Sequence, residues 1–131
     1  MRILHVALTM GLVVVAGVFI MLRQSTTARF SVGPTLGLIL AGLALVQLAV
    51  VLGFLLPRLP LRTADQSPDQ YWSTVARPDA IMLWVMTDGA GLASWVGYLL
   101  TGTVVPAGVG VLAIAALILL QPGRFEGLAK K

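Results

Sequence analysis

The chain has 131 residues, of which 58% are hydrophobic and 11% are charged, whereas a soluble domain carries about 25% charged residues. This composition excludes a water-soluble globular domain and indicates a single membrane domain over residues 1–131. The basic residues behind the net charge of +4 lie in short segments that flank apolar runs, so we expect lipid contacts and no nucleic-acid binding. The absence of cysteine excludes disulfides and thiolate metal sites.

Four apolar segments are long enough, or nearly so, to cross a bilayer core as helices. They cover residues 3–22, 32–56, 80–100 and 104–120. Because these segments lack the period-2 alternation of barrel strands, we predict an all-α fold, a bundle of four transmembrane helices. The connections before the second and fourth helices are short, so the helices should form two hairpins joined by a linker over residues 57–79.

The linker and the basic residues predict how the helices sit in the membrane. Tyr71 and Trp72 form an aromatic pair typical of the headgroup level, so the linker can hold a short interfacial helix. Seven basic residues fall on one side of the membrane and only Arg23 and Arg29 on the other. The seven are Arg2, Arg58, Arg62, Arg77, Arg124, Lys130 and Lys131. The positive-inside rule then predicts a multi-pass protein of the bacterial inner (cytoplasmic) membrane with both termini in the cytoplasm.

One carboxylate, Asp88, lies about eight residues inside the third apolar segment, or about 12 Å along a helix axis. An aspartate at the centre of a membrane helix costs roughly 2.5–3.5 kcal/mol to insert, and such a residue is by default a candidate for function. The alternative is a protonated Asp88 that hydrogen-bonds a neighbouring helix and only locks helix packing. Both interpretations stay open on the sequence alone.

Trp84, Gly91 and Trp95 share one helical face with Asp88, since about 100° separates successive residues. Two indoles around a carboxylate suit a lipophilic cation, through cation–π attraction and charge neutralisation together. A proton needs only the carboxylate and surroundings of low dielectric constant. We therefore predict a proton-binding or cation-binding site at Asp88, lined by Trp84, Gly91 and Trp95.

Small residues recur at every fourth position of two predicted helices and predict close helix packing. They are Gly33, Gly37 and Ala41 in the second segment, and Gly89, Ala93 and Gly97 in the third. The second set lies roughly opposite the Asp88 face, so the third helix should have neighbours on both sides. A four-helix monomer offers little room to bury Asp88, which predicts a homo-oligomer or a larger membrane complex.

The remaining polar residues predict no enzyme, no metal site and no cofactor. One histidine and no cysteine are too few ligands for haem or copper, and the chain lacks a nucleotide-binding motif. We expect His5 to be an exposed imidazole near the membrane interface. Thr9 and Gln47 are expected to hydrogen-bond Asp88 or each other.

The segment TDGAGLASWVGYLL, residues 87–100, has a central carboxylate followed by glycine and small residues in a chain of four spans. In this it resembles the proteolipid c-type subunits of rotary ATPases, although the polar Arg-Gln-Pro loop of that family is missing. The resemblance implies that Asp88 is the ion carrier of an assembled ring. The ending Leu99-Leu100-Thr101-Gly102 is similar to that of small four-span bacterial membrane proteins of uncharacterised activity, which implies no particular reaction.

Overall fold

The computed structural model describes residues 2–25, 33–59, 62–63, 65, 67–122 and 129–130, and the apolar segments in it are helical. The elements in chain order are α1 (Arg2–Gln24), α2 (Pro34–Val50), the π-helix π1 (Val51–Leu55), α3 (Leu56–Arg58), β1 (Arg62–Thr63), α4 (Pro68–Gln70), the π-helix π2 (Tyr71–Ala76), α5 (Arg77–Thr101), α6 (Val104–Leu119) and β2 (Ala129–Lys130). The two short strands pair in parallel, with Arg62 opposite Ala129. The predicted helical fold is confirmed at this level.

Among the described residues, three helices are long and apolar enough to cross a membrane, which fits a helical membrane protein. They are Arg2–Gln24, Pro34–Arg58 and Pro78–Thr101, while the apolar helix α6 is shorter, with 16 residues. Large apolar side chains cover the outer surface, including Ile3 and Val104. Such a surface suits lipid and would aggregate in water.

α5 is the central helix of the bundle and packs against α1, α2 and α6. α1 and α2 also contact α6, but they scarcely touch each other, so they lie on opposite sides of the α5–α6 pair. The predicted hairpin is therefore found for α5 and α6 and is wrong for α1 and α2. Each helix instead packs where a glycine lets it approach: α1 meets α5 at Gly91, which faces Leu12, and α2 meets the α5–α6 turn at Gly37, which faces Thr101.

The turn between α5 and α6 is closed by a glycine and an arginine. Gly102 has φ of +68°, a left-handed conformation that ends the helix, and its N–H donates to the Tyr98 carbonyl at 2.7 Å. Arg23 of α1 lies against Gly102 and donates to the carbonyls of Leu99 and Thr101, at 3.5 and 3.3 Å. These carbonyls lack partners within the helix, so the cation also meets the negative end of the helix dipole.

The linker differs from the predicted separate interfacial helix. α4 and π2 run directly into α5, and the side chains of Tyr71 and Trp72 are buried. Trp72 packs against Trp84 of α5, with ring centroids 5.8 Å apart, and Tyr71 packs against Trp72 at 4.8 Å. The pair therefore joins the core at one end of the bundle. Arg29, Arg124 and Lys131, which contribute to the predicted orientation, lie outside the described residues.

The predicted small-residue positions pack within the chain, with one exception. A Cβ on Gly37 would lie 2.7 Å from the Thr101 hydroxyl, and one on Gly97 would lie 3.3 Å from Cβ of Pro106. Gly89 faces Gln47 of α2, Ala41 is buried and Ala93 is half-buried. Gly33 does not pack: it precedes α2, is exposed, and a Cβ there would meet no atom within 4 Å.

Candidate functional site

Asp88 is the twelfth of the 25 residues of α5, so it lies about 15 to 20 Å from either end of the helix at about 1.5 Å per residue. Its side chain is half-buried. Within the described part of the chain, Asp88 takes part in no hydrogen bond and no ion pair. No described residue therefore connects Asp88 to a second helix of the same chain, as a packing lock within one chain would require.

Asp88 lies on the border between the buried and the exposed sides of α5. Trp84, Gly91 and Trp95 are buried on one side of it, whereas Val85 and Leu92 are exposed on the other. About 100° per residue puts all five within a quarter-turn of Asp88. The carboxyl group can therefore be reached from outside the four-helix bundle.

Trp84 belongs to an aromatic cluster, which we define as His5, Tyr71, Trp72 and Trp84. Its indole is fully buried, and Nε1–H donates to the Leu120 carbonyl at 2.8 Å. The His5 ring meets it edge-on, with centroids 5.2 Å apart. Trp84 is thus held by α1, α6 and the linker, and it is not open to a bound cation.

His5 is buried, with 6% of its surface exposed, so the predicted exposed imidazole is wrong. Nε2 lies 2.6 Å from the Leu117 carbonyl. The last carbonyls of a helix have no partner within that helix, and an imidazole N–H from α1 satisfies one of them here. Because His5 and Leu117 are 112 residues apart, local sequence patterns could not reveal this bond.

Trp95 packs into a notch in α6 at Gly110. A Cβ on Gly110 would lie 2.6 Å from Nε1 and 2.7 Å from Cε2 of the indole, so only glycine fits. Trp95 Nε1 is buried without a hydrogen-bond partner among the described residues. With both indoles buried in helix contacts, the predicted lining of a lipophilic-cation site is not accessible from outside the chain.

Gly91 lies where three helices meet. A Cβ there would lie 2.6 Å from Leu12 Cδ2 and 3.1 Å from Ala113 Cβ, so this glycine lets α1 and α6 approach α5. Gly91 is therefore a packing residue one turn from Asp88. Sequence reasoning placed it on the correct face but did not identify α1 and α6 as its neighbours.

The other polar groups of the bundle bind to backbone carbonyls. Gln47 Nε2 of α2 donates to the Met86 carbonyl at 2.6 Å, and the Thr9 hydroxyl donates to the His5 carbonyl at 2.9 Å. The hydroxyls of Thr87 and Ser94 likewise donate one turn back along α5. The expected hydrogen bonds from Thr9 and Gln47 to Asp88 are absent.

No cluster of three or more potential metal ligands occurs in the part of the chain that the structure describes. Hard cations such as Ca²⁺ and Mg²⁺ take about six or more oxygen ligands, counting water. Asp88 supplies a single carboxyl group, and no other described side chain forms a hydrogen bond or ion pair with it. Its chemistry suits a proton, which one carboxyl oxygen can bind alone.

No family model matches the chain, and no curated protein or solved structure is significantly similar to it.

Proposed function

We propose that this protein binds and releases a proton at Asp88, and that it conducts protons through the membrane as an assembly of several copies. The observation that carries the proposal is the position of Asp88: mid-helix, half-buried, and without a hydrogen bond or ion pair in the described structure. Inserting an aspartate into the middle of an apolar span costs roughly 2.5–3.5 kcal/mol. A role as a reversible proton site explains why the span contains Asp88 despite this cost.

A proton is favoured over the other candidate ions by the surroundings of Asp88. The indoles of Trp84 and Trp95, which an organic cation would need, are buried in contacts with α1 and α6. The nearby hydroxyls already donate to backbone carbonyls of their own helices. Neutralisation by a proton needs neither group, since a carboxyl that binds a proton loses the charge that lipid disfavours.

The proposed arrangement in the membrane has four spans, with both termini in the cytoplasm of a bacterial cell. Support comes from α6, which runs back along α5 until Leu120 reaches Trp84. The start of α1 lies at the same end, since His5 contacts Leu117. The linker and the C-terminal segment also meet, through β1 and β2. The resemblance to proteolipid c-type subunits agrees with an acidic proton carrier in an oligomer.

Asp88→Asn should abolish proton conduction while leaving the fold intact, because an amide has nearly the size of a carboxyl group but cannot exchange a proton in this way. The measurement is the decay of a pH gradient across liposomes that contain the purified protein, with the membrane potential clamped. We expect the rate with Asp88→Asn to fall to that of protein-free liposomes.

The matched control is Asp79→Asn, which removes an exposed carboxylate from the first turn of the same helix. It should conduct like the unmodified protein. Conduction by Asp88→Asn at the unmodified rate would contradict the proposal. A loss of assembly in Asp88→Asn, with no conduction by either protein, would instead favour an accessory subunit in which Asp88 locks packing between chains.

A further inference from the structure

A guanidinium group is held at the end of the bundle where α1 ends and α5 turns into α6. Arg23 is half-buried, and its two terminal nitrogens donate to the carbonyls of Leu99 and Thr101 at 3.5 and 3.3 Å. Its planar group lies against Gly102, in the space that a Cβ there would occupy. Because the fold already fixes this side chain, the binding of an anion to it costs less side-chain entropy.

The positive charge of Arg23 has no carboxylate to balance it. The acidic residues of the chain are Asp65, Asp69, Asp79, Asp88 and Glu126, so residues 1–64 and 89–125 contain none. The end of α1 and the α5–α6 turn both lie in these two stretches. Arg23 forms no ion pair with a described residue. The negative end of the α5 dipole supplies only about half a charge, so a net positive charge remains at this end of the bundle.

Arg23 also keeps N–H donors for a ligand. A guanidinium has several N–H groups, and in the described structure Nε is not used in a hydrogen bond. Among the described residues that are not exposed, the only fully buried side-chain nitrogen or oxygen without a hydrogen-bond partner is Nε1 of Trp95. Nε of Arg23 is therefore not fully buried, and an acceptor from outside the bundle can reach it.

We propose that Arg23 binds the phosphate group of an anionic phospholipid. Arg23 is in the last turn of α1 and contacts the turn after α5, so it lies where two candidate spans end. Lipid phosphates are concentrated at this level of a bilayer, and basic side chains there attract anionic lipids. A guanidinium is weakly hydrated and forms strong, charge-assisted hydrogen bonds with phosphate oxygens. The site lies about 20 Å from Asp88 along α5, and it does not depend on proton exchange there.

Lipid binding to the purified protein in detergent tests the proposal, with native mass spectrometry measuring the dissociation constant of the tightest-bound lipid. Phosphatidylglycerol, whose headgroup charge is that of its phosphate, should bind. Diacylglycerol with the same acyl chains has no phosphate and should bind much more weakly. Arg23→Gln should weaken phosphatidylglycerol binding about fivefold or more. The matched control is Arg58→Gln, which removes an exposed arginine of α3 and should leave this dissociation constant unchanged.

Inorganic phosphate distinguishes the two sources of the same chemical group. At millimolar concentration it should not displace phosphatidylglycerol, because the lipid also binds through its acyl chains. Displacement of the lipid by inorganic phosphate would assign the site to a soluble anion and overturn the proposal.

Arg23→Gln also removes two hydrogen bonds to backbone carbonyls, so a measurement on the unmodified protein is needed in case this variant does not fold. In NMR spectra of the guanidinium Nε–H groups in micelles, phosphatidylglycerol should shift the signal of Arg23 and not that of Arg58. Arg23→Lys identifies the Arg23 signal by its loss. An unshifted Arg23 signal would overturn the proposal, as would equal affinities for the two lipids or unchanged affinity in a folded Arg23→Gln protein.

Discussion

Gly110→Ala should destabilise the packing of α5 against α6. The added Cβ would lie 2.6 to 3.0 Å from three atoms of the Trp95 indole, a rigid ring that cannot bend aside as a methionine can. Trp95 itself is buried, so the ring or the whole helix must shift. Overpacking of this kind costs about 1–3 kcal/mol. Thermal unfolding in detergent, followed by circular dichroism, should show a clearly lower midpoint.

Gly108→Ala is the matched control, because it adds the same methyl group half a turn away on the same helix. A Cβ on Gly108 would meet no atom within 4 Å. Alanine favours a helix over glycine by about 1 kcal/mol, so this variant should be at least as stable as the unmodified protein. Equal stability of the two variants would show that Trp95 is not held in a notch at Gly110.

Replacing Trp84 should weaken the end of the bundle that holds the aromatic cluster. The indole is fully buried, donates to the Leu120 carbonyl and contacts His5 and Trp72. In water-soluble cores, Trp→Ala costs about 3–5 kcal/mol. Lipid or detergent reduces the part that reflects transfer from water, but the lost contacts and the cavity remain, so we expect Trp84→Ala to lose about 2 kcal/mol or more.

Trp84→Phe separates the contribution of the hydrogen bond to stability from that of ring packing. It keeps an aromatic ring beside His5 but leaves the buried Leu120 carbonyl without its donor, which costs about 1–3 kcal/mol. Met10→Ala, at an exposed position of α1, should change stability little. Trp84→Phe should still conduct protons. If a folded Trp84→Phe protein failed to conduct protons, Trp84 would be part of the ion site and its role would not be purely structural.

The helices of this protein follow from local properties of the sequence. Apolar segments of about 20 residues are long enough to cross the bilayer core. Because lipid offers the backbone no hydrogen-bond partners, such segments form helices, in which the backbone groups bond to each other. The proline at Pro34 and the turn at Gly102 mark helix ends for equally local reasons, namely a fixed φ and a permitted positive φ. These elements could be predicted without knowledge of any contact between helices.

The arrangement of the helices could not be predicted in the same way. Chain order suggested that α1 pairs with α2, but pairing depends on which faces fit, and α1 fits α5 through Leu12 at Gly91. Likewise, a polar residue near the end of a membrane helix predicts an imidazole at the membrane surface for His5. Its actual partner is a carbonyl of α6, more than a hundred residues away.

The sequence alone indicates Asp88 as the candidate site, but it does not indicate which residues surround its side chain. Asp88 is conspicuous because it is a carboxylate in an apolar run, and the helical period correctly grouped it with Trp84, Gly91 and Trp95. What those three residues touch depends on α1, α6 and the linker. Their contacts assign them to packing, and they leave Asp88 on the border between the buried and the exposed sides of α5.

Proton exchange by Asp88 in apolar surroundings should be visible in infrared difference spectra. Acid-minus-base spectra of the protein in lipid should contain a carbonyl-stretch band at the high frequency typical of a protonated carboxyl group in an apolar environment. That band should persist in Asp79→Asn and vanish in Asp88→Asn. Spectra that are identical with and without the Asp88 carboxyl would contradict the claim.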